Sequence, residues 1–579
     1  MRIKPLLVAS AAVLALPALA QQVAAPQPAA GTAPVAAQPA QPANADQPAS
    51  EGGTDETAVE EVSTNNLQPP SPPVEYPGWA RRDPFTVGPL SPARAGLTDG
   101  AWGEANGIFL STLMRRMQTP LASRWAHIAL RDGLLAKVHS PLNLNPVDWV
   151  AERAWLLLRL GEADAARMLV AGVDTDRFTP KMVQVGVQSA LANADPPALC
   201  PLEDGIKKFD AGVLRLVQAM CASLAGEPEA ASAMIDQARR YGRIGGVDLA
   251  LAEKVVGAGA SGRATTIEWD PVDSLSAWRF GLATGTGMVP PDRLMSEASP
   301  QLRAFQARAP LLSAQQRLSS AQVAAGLGVF SSQTLVDLYS AIYDSTDPGD
   351  LPASDAWQLR QAFVGKDADT RLAAIRKLLG THKDGLQREA ARALVARAAT
   401  LVEPDPKLAK DAPDLISAML AGGYDQAAAR WIPAVSRMDD EPSDRCWAML
   451  ALGAPNVADV GTSRITSFIK RDNSHDHIRS AFLVAGLAGL GRITTDTANS
   501  LNRRYGLGLG HVTSWTRMID GAAARGQGGT VLVLVGTGFQ TPLWDRVPAA
   551  HLYHSLSALG RTGQDFTARM IAAEALSRT

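Results

Sequence analysis

The chain is poor in several things at once. It has three cysteines among 579 residues, 5% aromatic residues and a formal net charge of −2. So few cysteines exclude a disulfide-built scaffold. A balanced charge leaves no basic excess to neutralise a phosphate backbone, which argues against nucleic acid as a partner. Beyond the first twenty residues no apolar run approaches the roughly 18–20 residues that a spanning helix needs, so no transmembrane segment is expected. Alternating strand patterns are missing, and so are Gly-x-Ser-x-Gly, His-Glu-x-x-His and Gly-x-x-x-x-Gly-Lys.

What is present is alanine-rich and helical in character. Alanine has the best helix propensity and is depleted from strands, so a chain with 46% hydrophobic residues but few aromatics points to closely packed helices. Three regions are distinguishable. Residues 1–20 read as a secretory signal peptide, with Arg2 and Lys4, an apolar stretch from Leu6 to Leu16, and Ala18-Leu19-Ala20 as the cleavage site. Residues 21–76 have almost no large apolar side chain and no Lys or Arg, and they carry the Gln68-Pro-Pro-Ser-Pro-Pro73 tract. Such a composition cannot offset its ordering entropy and predicts a disordered, acidic linker. Residues 77–579 carry the helical signals.

Asn145-Pro146-Val147-Asp148 supplies an N-cap and a first-turn proline before an apolar-periodic stretch ending at Gly161. Thr119-Pro120 and Asp270-Pro271-Val272-Asp273 are read as helix openers of the same kind. A longer pattern recurs four times: Gly161-Glu-Ala-Asp-Ala-Ala-Arg-Met-Leu-Val170, Gly226-Glu-Pro-Glu-Ala-Ala-Ser-Ala-Met-Ile235, Gly423-Tyr-Asp-Gln-Ala-Ala-Ala-Arg-Trp-Ile432 and Gly563-Gln-Asp-Phe-Thr-Ala-Arg-Met-Ile-Ala572. In each, glycine ends one helix, acidic or polar residues start the next, and a small residue five positions on (Ala166, Ala231, Ala428, Ala568) lets two helices approach. The unit is a helical hairpin.

This pattern resembles the turn and second helix of a tetratricopeptide repeat, a helix–turn–helix unit of 34 residues. The glycines are separated by 65, 197 and 140 residues, close to two, six and four such units. The first helix of the family's unit, with its Trp and Leu-Gly positions, is not reproduced. The resemblance implies an all-α fold, an α-α superhelix or solenoid of helical hairpins, whose groove binds protein or peptide ligands.

No constellation for chemistry stands out. Gly257-Ala-Gly-Ala-Ser-Gly262 matches a dinucleotide-binding string but lacks the strand before it, so it reads as a loop. Gly506-Leu-Gly-Leu-Gly510 reads as a helix break. Ser467-Phe-Ile-Lys470 lacks the partner motifs of penicillin-binding enzymes. Asp472, His475 and His477 read as a solvated loop rather than a metal site, and His551 and His554 as packing or surface residues. No catalytic residue, cofactor or metal is therefore expected. In an oxidising compartment Cys200 and Cys221 are the expected disulfide and Cys446 a buried free thiol. The expectation is a non-enzymatic periplasmic scaffold binding envelope proteins. A peptidoglycan enzyme or its regulator, with peptidoglycan as partner, is one alternative. A glycan or small-molecule binder using Trp155, Trp431 and Trp447 is another.

Overall fold

The helix Pro146–Leu160 shows how local sequence sets this architecture. Asn145 accepts the N–H groups of Val147 and Asp148, Pro146 occupies the first turn, and Gly161 ends the helix in the left-handed conformation at φ 108°. Similar rules build the rest of the computed structural model, which describes residues 77–259, 265–456 and 460–579. Among them there are 28 α-helices, several 3₁₀ turns and no strand, only two isolated bridges pairing Leu90 with Ala136 and Asn106 with Leu142. The fold is all-α. Residues 1–20, expected to be a signal peptide, and residues 21–76, expected to be a linker, lie outside the described residues, as does the end of the Gly257–Gly262 string.

Residues 82–579 form one compact unit; the described residues before it carry a single 3₁₀ turn, Gly78–Ala80. Within the compact unit, consecutive helices pack as hairpins: Pro146–Leu160 with Ala163–Val170, Ala211–Leu224 with Pro228–Tyr241, Gly385–Ala399 with Ala412–Ala421, and Ala549–Arg561 with Asp565–Ser577. Contacts also run between segments far apart in sequence, beyond what a nearest-neighbour array needs. The helix Arg124–Leu135 packs on both Gly528–Gly538 and Asp565–Ser577. Ala122 donates its N–H to the Phe539 carbonyl at 2.9 Å, and Gly529 donates to the Ala101 carbonyl at 2.9 Å. Glycine permits this approach, since a Cβ at Gly133 would come within 2.5 Å of Leu532 and one at Gly536 within 2.9 Å of Leu130.

Two apolar cores result. The larger runs from Val87 to Leu576. The smaller is built by Pro180–Ala192, Ala211–Leu224, Pro228–Tyr241, Gly246–Gly259 and Ala277–Gly285 around Leu216, Met220 and Leu251. Cys200 and Cys221 are bonded in this second core, with their Cα atoms 5.7 Å apart, tying the 3₁₀ turn Pro196–Leu202 to the Ala211–Leu224 helix.

Two expected helix openers are displaced. After Thr119-Pro120 the helix starts only at Arg124, because Ser123 takes the cap and accepts the Ala126 N–H. After Asp270-Pro271 it starts at Ala277, because the Ser276 hydroxyl accepts from Arg279. In both places a serine nearer the apolar run outcompetes the proline signal as the first-turn acceptor.

Candidate functional site

The groove with the largest volume described here is assembled from the two ends of the compact unit. One wall is the loop 103–106 leading into the helix Gly107–Arg116; the other is the hairpin of Ser514–Ala524 and Gly528–Gly538. Asn106 starts the first helix by accepting the Ile108 and Phe109 N–H groups. Phe109, Met518, Ala522 and Leu534 supply the apolar lining, and Glu104 and Arg525 bring one charge of each sign. The cleft is open to solvent and encloses about 1110 Å³.

Its walls are firmly anchored. Trp102 is buried edge-on against Trp149, with ring centroids 5.0 Å apart. It packs so closely under the second wall that a Cβ at Gly529 would meet the indole ring at 2.9 Å. Gly103, in the left-handed region at φ 56°, lets the loop turn over Gln527, where any Cβ would strike the amide at 2.6 Å. Beside the groove the surface stays apolar: Phe109 is 42% exposed, its neighbour Ile108 56%, and Leu142, whose carbonyl accepts the Gly107 N–H, 56%. Clustered exposed side chains of this size mark interaction surfaces more often than isolated ones do.

Several charged groups elsewhere hold helix ends together. Glu574 accepts from the Ser123 hydroxyl at 2.6 Å and from the Arg124 and Trp125 N–H groups at 2.8 and 3.2 Å, capping a helix 450 positions earlier in the chain. The Arg124 guanidinium donates to the carbonyls of Ala325, Ala421 and Phe330, and burial draws its pKa down to about 10. Arg153 is 1% exposed and donates to Val87, Leu134 and Ala136 carbonyls, with burial lowering it to about 9. Both arginines serve carbonyls at helix ends, where partial negative charge accumulates.

His127 and Glu162 form a fully buried pair, Nε2 to Oε1 2.8 Å. Burial, then the charges of Arg131 and Arg124, hold the imidazole down at about 3, while burial pushes the Glu162 carboxyl well above the ordinary range. The histidine is neutral in the fold. A sealed pair of this kind offers no approach to a substrate.

The residues singled out by sequence are accounted for individually. Gly161, Gly226, Gly423 and Gly563 all have positive φ, and Ala166, Ala231, Ala428 and Ala568 are all fully buried. The third hairpin departs from the others: its second helix stops at Ala429 and resumes as the short turn Ile432–Val435. Pro433 has no N–H to give and its ring clashes with the carbonyl four residues back. Asp472 accepts from Ser474 and from both the N–H and hydroxyl of Ser480; these bonds outweigh its burial and hold the carboxylate below its ordinary range. His475 and His477 are exposed, and no cluster of three metal-ligating side chains exists among the described residues. His551 packs at a tilt against Trp515, ring centroids 4.3 Å apart, and His554 pairs with Asp520 at 2.9 Å. Trp431 is core, whereas Trp447 is partly buried under the Arg464 guanidinium. Cys446 is buried, which pushes its thiol up to about 12.

Sequence reasoning did not find the groove. Phe109 and Met518 lie more than 400 positions apart, and nothing local separates an exposed phenylalanine from a core one. The one legible hint is Asn106, a helix cap followed, after Gly107, by the two large apolar residues Ile108 and Phe109 in the first, solvent-facing turn. No protein family, curated protein or solved structure matches the chain.

Proposed function

We propose that this chain is a non-enzymatic helical adaptor of the cell envelope that holds a protein partner by a short apolar segment seated in the groove between 103–109 and 514–534. The observation that carries the reading is the open, pre-formed, apolar-lined cleft continuous with exposed Ile108 and Phe109. Its openness to solvent suits side-chain anchors rather than a buried small ligand, and the anchored Trp102 loop lowers the ordering cost of binding. Export fits the reading of residues 1–20 as a signal peptide and the pairing of Cys200 with Cys221. The sealed pair of His127 and Glu162 acts within the fold rather than on a substrate.

Panning a random peptide library on the full chain tests this. Enriched peptides are expected to share two spaced apolar anchors and to lose at least about tenfold in affinity, roughly 1.4 kcal/mol, to Phe109→Asp or Met518→Asp. Peptides bound equally by both variants would place the partner site elsewhere.

A further inference from the structure

A second, narrower cleft lies away from the groove, where the helices Ala412–Ala421, Asp440–Gly453 and Asp565–Ser577 meet, and opens to solvent. Three arginines line it, Arg392, Arg445 and Arg479, with Asp414 as the one acidic side chain and the main-chain end at Thr579 beside them. The Asp414 carboxylate is taken by Arg388 at 2.7 Å. Neighbouring acids are likewise engaged: Asp444 pairs with Arg464 and Arg471, Asp411 with Arg376, and Glu389 with Arg392 Nη1. Arg479 donates to a main-chain oxygen of Thr579, the last residue, at 2.6 Å, and Arg445 has no ion-pair partner among the described residues.

Two buried polar groups on the cleft wall are also unmatched. The Ser417 hydroxyl, on a residue 4% exposed, has no hydrogen-bond partner, and neither has Nε of Arg392, on a residue 8% exposed. Unmatched buried donors are costly, and natural structures keep few of them without reason. The first two turns of Ala412–Ala421 add Pro413, Asp414 and Ser417 to the wall. The remaining wall is apolar: Ala448, Met449, Phe468 and Leu576.

We propose that this cleft binds an oxyanion, a carboxylate or phosphate attached to a short apolar body. Guanidinium groups match both anions through paired N–H donors. Ser417 and Arg392 Nε supply the directed donors, Arg445 and Arg479 the charge, and Met449 and Phe468 receive the apolar body. The cleft is thus a small-ligand site on a chain that otherwise has the character of a scaffold.

Calorimetric titration of the full chain with sodium phosphate and, separately, sodium butyrate at constant ionic strength tests the assignment. Saturable one-to-one binding of at least one is expected, with phosphate alone marking a phosphoryl ligand and butyrate alone a carboxylate. Arg445→Gln, at an exposed position that folding does not need, and Ser417→Ala should each weaken it at least fivefold. Arg360→Gln, outside the cleft, should leave it unchanged. Binding of neither anion, or binding that neither cleft variant weakens, would overturn the proposal.

Discussion

Replacing Glu574 by alanine should loosen the junction between the Arg124–Leu135 helix and the last helix of the compact unit more than any other single change at that contact. The carboxylate holds four donors at once: the Ser123 hydroxyl, two helix N–H groups and Arg578 Nη1 at 2.8 Å. Loss of a helix cap alone costs about 1 kcal/mol. Leaving a buried arginine without its acid raises the cost to about 3–5 kcal/mol, although Arg578 keeps the Ala122 carbonyl and a distant Glu389. An estimate of about 4 kcal/mol follows, with Glu574→Gln nearer half of it because one acceptor remains. Hydrogen exchange reads the effect directly. First-turn amides of a helix ordinarily exchange freely, whereas those of Arg124 and Trp125 are held by Glu574. Their exchange should accelerate by up to about 1000-fold in Glu574→Ala, at about 1.4 kcal/mol per tenfold, with a matching fall in the unfolding midpoint. Unchanged exchange at 124–125 together with an unchanged midpoint would refute the closure of the fold through this residue.

Three further outcomes are expected. His127 is neutral in the fold above about pH 3 but protonates at about 6.5 when unfolded, so this group makes stability fall as pH drops through that window, while the raised carboxyl of Glu162 acts in the opposite sense; the histidine's share is about 3 kcal/mol at pH 4.5, and His127→Gln should raise the urea midpoint at pH 4.5 relative to that at pH 7. Ala428→Leu should overpack the third hairpin by about 1–3 kcal/mol in thermal unfolding, since Ala428 is fully buried, whereas His475→Ala should leave the midpoint unmoved. Cys200→Ser with Cys221→Ser should remove about 3 kcal/mol by freeing a loop of 21 residues, and Cys446 should resist alkylation until denaturant is added, as mass mapping will show.

What was legible in the chain was local. Asn145, Pro146 and Gly161 determine a helix by groups within three or four residues of each end, and the four hairpin glycines need positive φ whatever surrounds them. Competition among nearby caps was harder to read: Thr119 and Ser123 are both able acceptors, and the choice of Ser123 depends on Glu574 standing beside it. The helix Gly528–Gly538 is the plainest case of tertiary override, with three valines and four glycines among 11 residues, a poor helix by propensity that forms because it is buried on every side. Both clefts belong to the same class. Each is framed by residues that only the long-range packing brings together, and the partnerless state of Ser417 is visible only once every neighbouring donor and acceptor has been assigned.

The most direct test of the adaptor reading is hydrogen exchange of the full chain with and without a groove-selected peptide. Protection is predicted at 103–109 and 514–534, with the Gly246–Gly259 helix unchanged. Protection confined to other helices, with 103–109 and 514–534 exchanging as in the free chain, would contradict it.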